Sequence, residues 1–460
     1  MKKIIKTVLL SVFALITVTA SSFFVYNYYK NENRPLRLPF LSEAPLVATT
    51  EATTLPPTTL PPTTAAPAPS QHVIDLDSLT VIDLFPLSLG GGSWDVRHCQ
   101  GITVDHQNGY IYYSYTTILV KCSMEDGSIV GTVNVPGGHM GDIIYNAADK
   151  KIYCGYYAPG RKGIYVLIFD TTKITKENMA PTEDVVRSVF IREAWNDYNA
   201  KVTFKVAEDE EETTEATEAA TEKEEKTITL NHRYGCSAID GICLGPDFSG
   251  KIKGRELLTV AYGIYADSTR PDNDYQVLLQ YDVSSWWNTY AKAYTTKSFH
   301  KSGPESPLGK YFVYTGNTTY GVQTMEYFDE LNLWFLCCYN KHQKGTFKKF
   351  TFFAVDGDVP PEKQLLKGQS EDDEQYVLSL YQDGIYDAEN GIYGWYSSYG
   401  VQGISYLCDG LFYIVRPYKA WTGKKNAICY LNAWNPDKED PFVLAAGIGS
   451  DYSISKIIRQ

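Results

Sequence analysis

One short pattern recurs along this chain, and it constrains the fold more than any bulk property does. Thr318-Thr319-Tyr320-Gly321-Val322-Gln323-Thr324-Met325-Glu326-Tyr327 returns as Ser397-Ser398-Tyr399-Gly400-Val401-Gln402-Gly403-Ile404-Ser405-Tyr406. A short turn and an aromatic run follow each copy, at residues 333–339 and 411–418. Looser relatives begin at His98-Cys99-Gln100-Gly101-Ile102, His139-Met140-Gly141-Asp142-Ile143 and Ser237-Ala238-Ile239-Asp240-Gly241-Ile242. A repeat of this kind marks a supersecondary unit that buries its apolar faces only against its neighbours.

The first unit reads strand by strand. Residues 101–104 lead to a turn at 105–109 and a run at 110–115; then come 118–123, a turn at 125–127, and 129–135. Short β-rich runs bounded by Asn, Asp and Gly are hairpins. Four such strands make an up-and-down sheet of roughly 35–40 residues, the size of one propeller blade. The second unit repeats this at 142–145, 151–156, 164–169 and 185–191. The third contains 257–262 and 276–281, and the last 427–431 and 442–445. Tyrosine is abundant, 36 against 5 Met, and suits pleated, half-buried surfaces.

The expected fold is therefore all-β, a β-propeller of four-stranded antiparallel blades, since radial stacking protects the sheet edges. Five units are recognisable; further blades within 281–314 and 365–396 would raise the count to six or seven. Residues 79–85 are expected to pair with the last unit and close the ring, and 182–197 is the best candidate for a helix. A pair of β-sandwiches would explain the strands but not the repeated start.

Before the body, Lys2, Lys3 and Lys6 precede an uncharged, largely apolar run from Thr7 to Tyr29. A basic start before such a run is an export signal. Cleavage after Ala20 would release the protein. The run is also long enough to span a hydrocarbon core, which takes about 20 helical residues, and its outer end is aromatic. Residues 1–30 thus read as a signal peptide or single-pass anchor, with the body outside. Residues 31–71 form a Thr/Pro-rich stalk that cannot build a core, and 72–460 the propeller domain. The acidic stretch at about 207–227 interrupts that domain as a disordered loop.

The formal net charge of −12 argues against a sequence-independent nucleic-acid binder, which needs Lys and Arg to displace counterions. The 9 cysteines sit mostly in apolar runs and include no C-x-x-C pair. They read as small buried apolar residues rather than a zinc or redox set.

In a propeller the first strand of each blade lines the central channel. The residues at the repeated starts are then the candidates for ligand binding: His98, Gln100, His139, Asp142, His232, Asp240, Gln323 and Gln402. His98, His139, Asp142 and Asp240 could hold a divalent metal that activates water. Asp142, Asp240 and Glu326 could serve glycoside cleavage, which needs two carboxylates roughly 5–10 Å apart. Against both stands a simpler use, in which these side chains bond one another and trapped water. Residues 267–274 read as a polar turn rather than a calcium loop, and Trp395, Tyr396, Tyr399, Tyr418 and Trp421 as aromatics for packing or for sugar rings.

The run from Asn231 to Ile242, with Ala261-Tyr262-Gly263-Ile264-Tyr265 and residues 276–282, resembles secreted β-propeller-like proteins of uncharacterised function from Gram-positive bacteria. The resemblance covers the body and implies fold and location only. The expected function is capture of an extracellular ligand (glycan, small molecule or protein) at the central funnel. The alternative is a metal-assisted extracellular hydrolase or lyase acting on glycan or phosphoester.

Overall fold

A computed structural model of the chain describes residues 85–96, 98–207, 225–267, 269–318, 320–339, 347, 349–366, 374–419 and 424–445. The expected export segment, the Thr/Pro-rich stretch and most of the acidic insert lie outside these residues. Among the described residues no helix is long and apolar enough to cross a membrane.

Blade 1 is the expected meander: Cys99–Asp105, Tyr110–Tyr115, Ile118–Ser123 and Ile129–Asn134, each antiparallel to the next. Blade 2 runs His139–Asn146, Lys151–Tyr157, Ile164–Asp170 and Val186–Phe190, with Lys292–Ala293 added to its outer edge. Blade 3 runs Cys236–Gly245, Leu257–Ile264, Tyr275–Tyr281 and Gly309–Tyr314. Blade 4 has Val322–Phe328, Leu333–Cys338 and Phe352–Asp356. Blade 5 has Ile404–Cys408, Leu411–Lys419 and Lys425–Trp434.

Five apolar cores fill the seams, one between each pair of neighbours. Tyr113 and Val120 meet Tyr413 and Val415 between blades 5 and 1. Tyr112 and Leu119 meet Ile143 and Cys154 between blades 1 and 2. Ile168 packs on Ile242 and Val260 next, and Ala261 on Leu336 and Phe353 beyond that. Phe335 and Phe352 meet Phe412 and Trp434 in the last seam. Tyr112 and Tyr113 are consecutive yet enter different cores, because successive strand residues point to opposite faces. A strand buried on both faces needs apolar residues at every position, which explains the aromatic runs. All nine cysteines are free, and eight are buried in this packing. Burial pushes the Cys122 thiol up to about 12, so it behaves as an apolar residue.

Three expectations need correction. Ring closure uses Ser88–Trp94, which pairs antiparallel with Lys425–Trp434; residues 79–84 lie outside the described part. Blade 1 leaves no room for a side chain at the middle glycine: a Cβ on Gly91 would sit 2.6 Å from the Tyr113 ring, while Gly92 takes a φ of 79°. In return Tyr113 donates to Leu89 O at 2.9 Å. Among the described residues no extra blade hides in the long intervals. Gly309–Tyr314 is the fourth strand of blade 3, and Gln375–Leu378 adds to it in parallel. Trp395 and Tyr381 then bond the open edge of blade 4 in place of a continuous fourth strand. The expected helix at 182–197 is a strand, Val186–Phe190, followed by a shorter helix, Arg192–Asn199. Val186, Val189 and Phe190 are apolar positions of a sheet, and they win that part of the segment.

Candidate functional site at the mouth of the ring

The repeated motif turns out to encode a bulge. In blades 1 to 4 the inner strand loses register with its hairpin partner at the motif: between Cys99 and Gly101, Met140 and Ile143, Ile239 and Ile242, and Val322 and Thr324. Gln100, Gly141-Asp142, Asp240-Gly241 and Gln323 are therefore out of the ladder, and a bulge re-aims the side chain it carries. Blade 5 differs. Its irregularity lies between Tyr406 and Cys408, and Gln402 precedes the strand.

The position just before each motif hydrophobe is Gly101, Asp142, Gly241, Thr324 and Gly403 in blade order. Asp142 is the one large residue of that set, and Gly101 makes room for it. A Cβ on Gly101 would lie 2.2 Å from Asp142 Oδ1. Asp142 Oδ2 accepts from Met325 N of blade 4 at 2.8 Å and from Ile242 N of blade 3 at 3.3 Å. A side chain of blade 2 that bonds blade 4 must cross the middle of the ring. Asp142 is 1% exposed, and burial holds its carboxyl well above the usual carboxylate range. It is a keystone. Gln100 Nε2, Gln402 Oε1 and Asp142 Oδ1 are buried atoms without a protein hydrogen-bond partner. Such atoms are what ordered water or a ligand satisfies.

At the end of the ring where the inner strands begin, side chains form two connected groups. One is a stack. His139 lies parallel to Tyr157 at 4.9 Å, and the Arg161 guanidinium sits 4.5 Å from the Tyr157 centroid and 5.4 Å from that of Tyr265. His232 follows at 5.0 Å from Tyr265 and 4.5 Å from Tyr198. Arg161 Nη1 also donates to Ser237 O, which fixes the plane of the guanidinium. The second group is polar and aromatic. His98 Nε2 and Tyr339 Oη share a hydrogen bond of 2.9 Å, and Tyr320 meets the Tyr339 ring edge-on at 5.6 Å. Gln323 Nε2 donates to Tyr320 O at 3.0 Å and reaches Asp240 Oδ2 at 3.4 Å. Asp240 joins the groups. Burial pushes its carboxyl up to about 6, against the pull of the Gln323 bond and the Arg161 charge.

The backbone under this mouth is strained. Arg161, His232, Tyr234 and Tyr320 have φ of 51°, 68°, 55° and 67°, a left-handed region that bulky residues avoid. A buried clamp holds part of it. Arg270 donates twice to the Asp272 carboxylate, both at 2.9 Å, and also to Asn231 O at 2.7 Å and His232 O at 2.6 Å. Asp272 Oδ2 in turn accepts from Tyr234 N at 2.8 Å. The turn at 267–274 is thus a turn, as expected, with a brace inside it.

Of the eight candidates, His98, His139, His232, Asp240 and Gln323 stand at this mouth. Asp142 and Gln100 are buried below it at 1% and 6% exposure. Among the described residues no group of three or more His, Cys, Asp or Glu side chains is placed to hold a metal. The acid pair gains no geometry either, since Asp142 and Glu326 are both buried and only Asp240 faces the opening. Trp395 is fully buried, its indole N–H donating to Pro436 O at 2.8 Å, and is no sugar platform; Trp421 lies outside the described residues. Arg161, Tyr157, Tyr265, Tyr320, Tyr339 and the Arg270–Asp272 brace were not singled out from the sequence. Pro159-Gly160-Arg161 between two blade strands was the one available signal for the first.

These features define a five-bladed β-propeller with a braced, aromatic mouth. No family model matches the chain, and no curated protein matches it. Among solved structures it is similar to the β-propeller domain of Myceliophteria thermophila Cps50 (Swd1), at 8% identity and a TM-score of 0.27, over 73% of this chain and 98% of that one. The propeller assignment stands on the five sheets and their five seams.

Proposed function

We propose that this protein is a cell-surface or secreted β-propeller that captures an extracellular ligand at the mouth of its ring. One observation carries the reading: Arg161, His232, Tyr234 and Tyr320 are all held at positive φ around one opening. Strain of order 1–3 kcal/mol per residue persists only where surrounding structure enforces it, and it clusters at ligand sites. The buried Arg270–Asp272 pair does that enforcing at His232 and Tyr234. The extracellular part of the proposal is supported by Lys2, Lys3 and Lys6 ahead of the apolar run and by the Thr/Pro-rich stretch after it. A hydrolase would need a second open carboxylate beside Asp240, and Glu326 and Asp142 do not supply one.

The test is a thermal-shift screen of the full chain against small molecules, glycans and peptides. A ligand at about 100 times its Kd stabilises the native state by about 2.7 kcal/mol. The expected result is a shift in the native protein that disappears in Arg161→Ala. A shift that survives in Arg161→Ala and in Tyr320→Ala would move the ligand away from the mouth.

A further inference from the structure

Resting on that reading, we propose that the mouth takes a neutral saccharide, whose adjacent hydroxyls bridge Arg161 and Asp240 while a ring face lies against Tyr320. The charges come first. Asp240 feels the positive field of Arg161, yet among the described residues no ion pair joins them. Arg161 is committed to Ser237 O and to the faces of Tyr157 and Tyr265; Asp240 has its bond from Gln323. Two opposite charges are thus held as neighbours without closing on each other. An anion gains from Arg161 and loses to Asp240, and a simple cation does the reverse. A pair of adjacent hydroxyls suffers neither penalty. One accepts from the guanidinium and the other donates to the carboxylate, since a hydroxyl does both. Hydrogen bonds to ionised partners are the stronger kind.

The aromatic side fits the same ligand. Tyr320 is 37% exposed and stands edge-on to Tyr339, so part of its ring is open. Its carbonyl accepts from Gln323 Nε2, the amide that also reaches Asp240, so one amide ties the Tyr320 backbone to the carboxylate. The axial C–H face of a pyranose is apolar while its rim is polar, and a mouth with one open ring and a ring of polar ends matches that shape. Gly263 keeps the carboxylate where it is: a Cβ there would meet Asp240 Oδ2 at 2.2 Å. Arg161 is fixed between two rings. Groups already immobilised cost little further order on binding, which matters for a ligand with small apolar area.

The experiment is saturation-transfer NMR and calorimetry on the full chain with two separate sets of probes. The first contains glucose, galactose, mannose, N-acetylglucosamine and their oligomers. The second contains α-amino acids, citrate and choline. The expected result is binding within the first set, weakened about tenfold or more by Asp240→Asn, by Arg161→Lys and by Tyr320→Ala. Circular dichroism and melting of each variant check that it folds. Failure of every saccharide to bind overturns the proposal. Binding of the second set alone, lost in the same variants, overturns the saccharide class and leaves the mouth as the site. Saccharide binding that none of the three substitutions changes overturns the mouth itself.

Discussion

The two ends of the ring solve the same problem with different residues. Each end must turn the chain between strands, and each uses left-handed backbone to do so. At the far end the positive-φ residues that are not glycine include Lys150, Asn332 and Asp409, in tight hairpin turns, joined by Gly109, Gly250 and Gly410. Asn and Asp tolerate this conformation through local hydrogen bonds and glycine pays no steric cost, so of these six residues only Lys150 carries strain. At the mouth the same region of backbone is occupied by Arg161, His232, Tyr234 and Tyr320, which have no such excuse. The chemistry differs too. The far end gathers carboxylates, with Glu326 near Glu256 and Asp329, whereas the mouth pairs one carboxylate with one guanidinium among rings. Turn chemistry chosen for folding can be told from turn chemistry retained at a cost.

The largest expected effect breaks the brace. Arg270→Ala leaves the Asp272 charge buried and unpaired, and losing one partner of such a pair costs about 3–5 kcal/mol. Denaturant unfolding reads that loss. A destabilisation below 1 kcal/mol would mean the brace is not holding the mouth. The far end is tested by pH. Burial pushes the Glu326 carboxyl up to about 8, with Glu256 and Asp329 adding to it. A folded-state pKa above the unfolded value makes stability highest below about pH 4.5 and lowers it steadily as pH rises to about 8. Glu326→Gln removes its share of that slope, so the stability lost between pH 5 and pH 8.5 in melting curves should be smaller by a few kcal/mol in the variant, the raised Asp142 and Asp240 carboxyls leaving a slope in both. Parallel pH dependence in both would show Glu326 to be already ionised. The smallest effect sharpens the contrast directly. Asp409→Gly at the far end, where glycine keeps the left-handed turn, should change stability by under 0.5 kcal/mol. Arg161→Gly should relieve about 1 kcal/mol of strain, leaving the melting temperature unchanged or higher while ligand binding disappears.

The sequence carried the blades better than their edges. Blade 1 is legible because its strands are contiguous and its turns short; Tyr110-Ile111-Tyr112-Tyr113 can hardly be anything else. The closing strand was missed because Gly90-Gly91-Gly92 looks like a turn, and the Tyr113 ring that requires Gly91 is far off in sequence. The outer edge of blade 4 is built from residues near Tyr381 and Trp395 with a small hairpin between, an arrangement no local pattern announces. For the site, the repeated motif gave the right place and part of the wrong reason. Gln100, Asp142, Asp240 and Gln323 recur because four inner strands bulge there, and Asp142 then serves the ring rather than the opening. Arg161 and Tyr265 belong to different blades, and only the ring brings them together.

The seam between Ser88–Trp94 and Lys425–Trp434 has a consequence for how the protein is made. The first described strand to leave a ribosome must wait, with its ladder edge bare, for a partner synthesised more than three hundred residues later. Such distant pairing is slow to form. Blades 1 to 4 can assemble while the chain is still emerging; the circle locks only after nearly all of it has arrived.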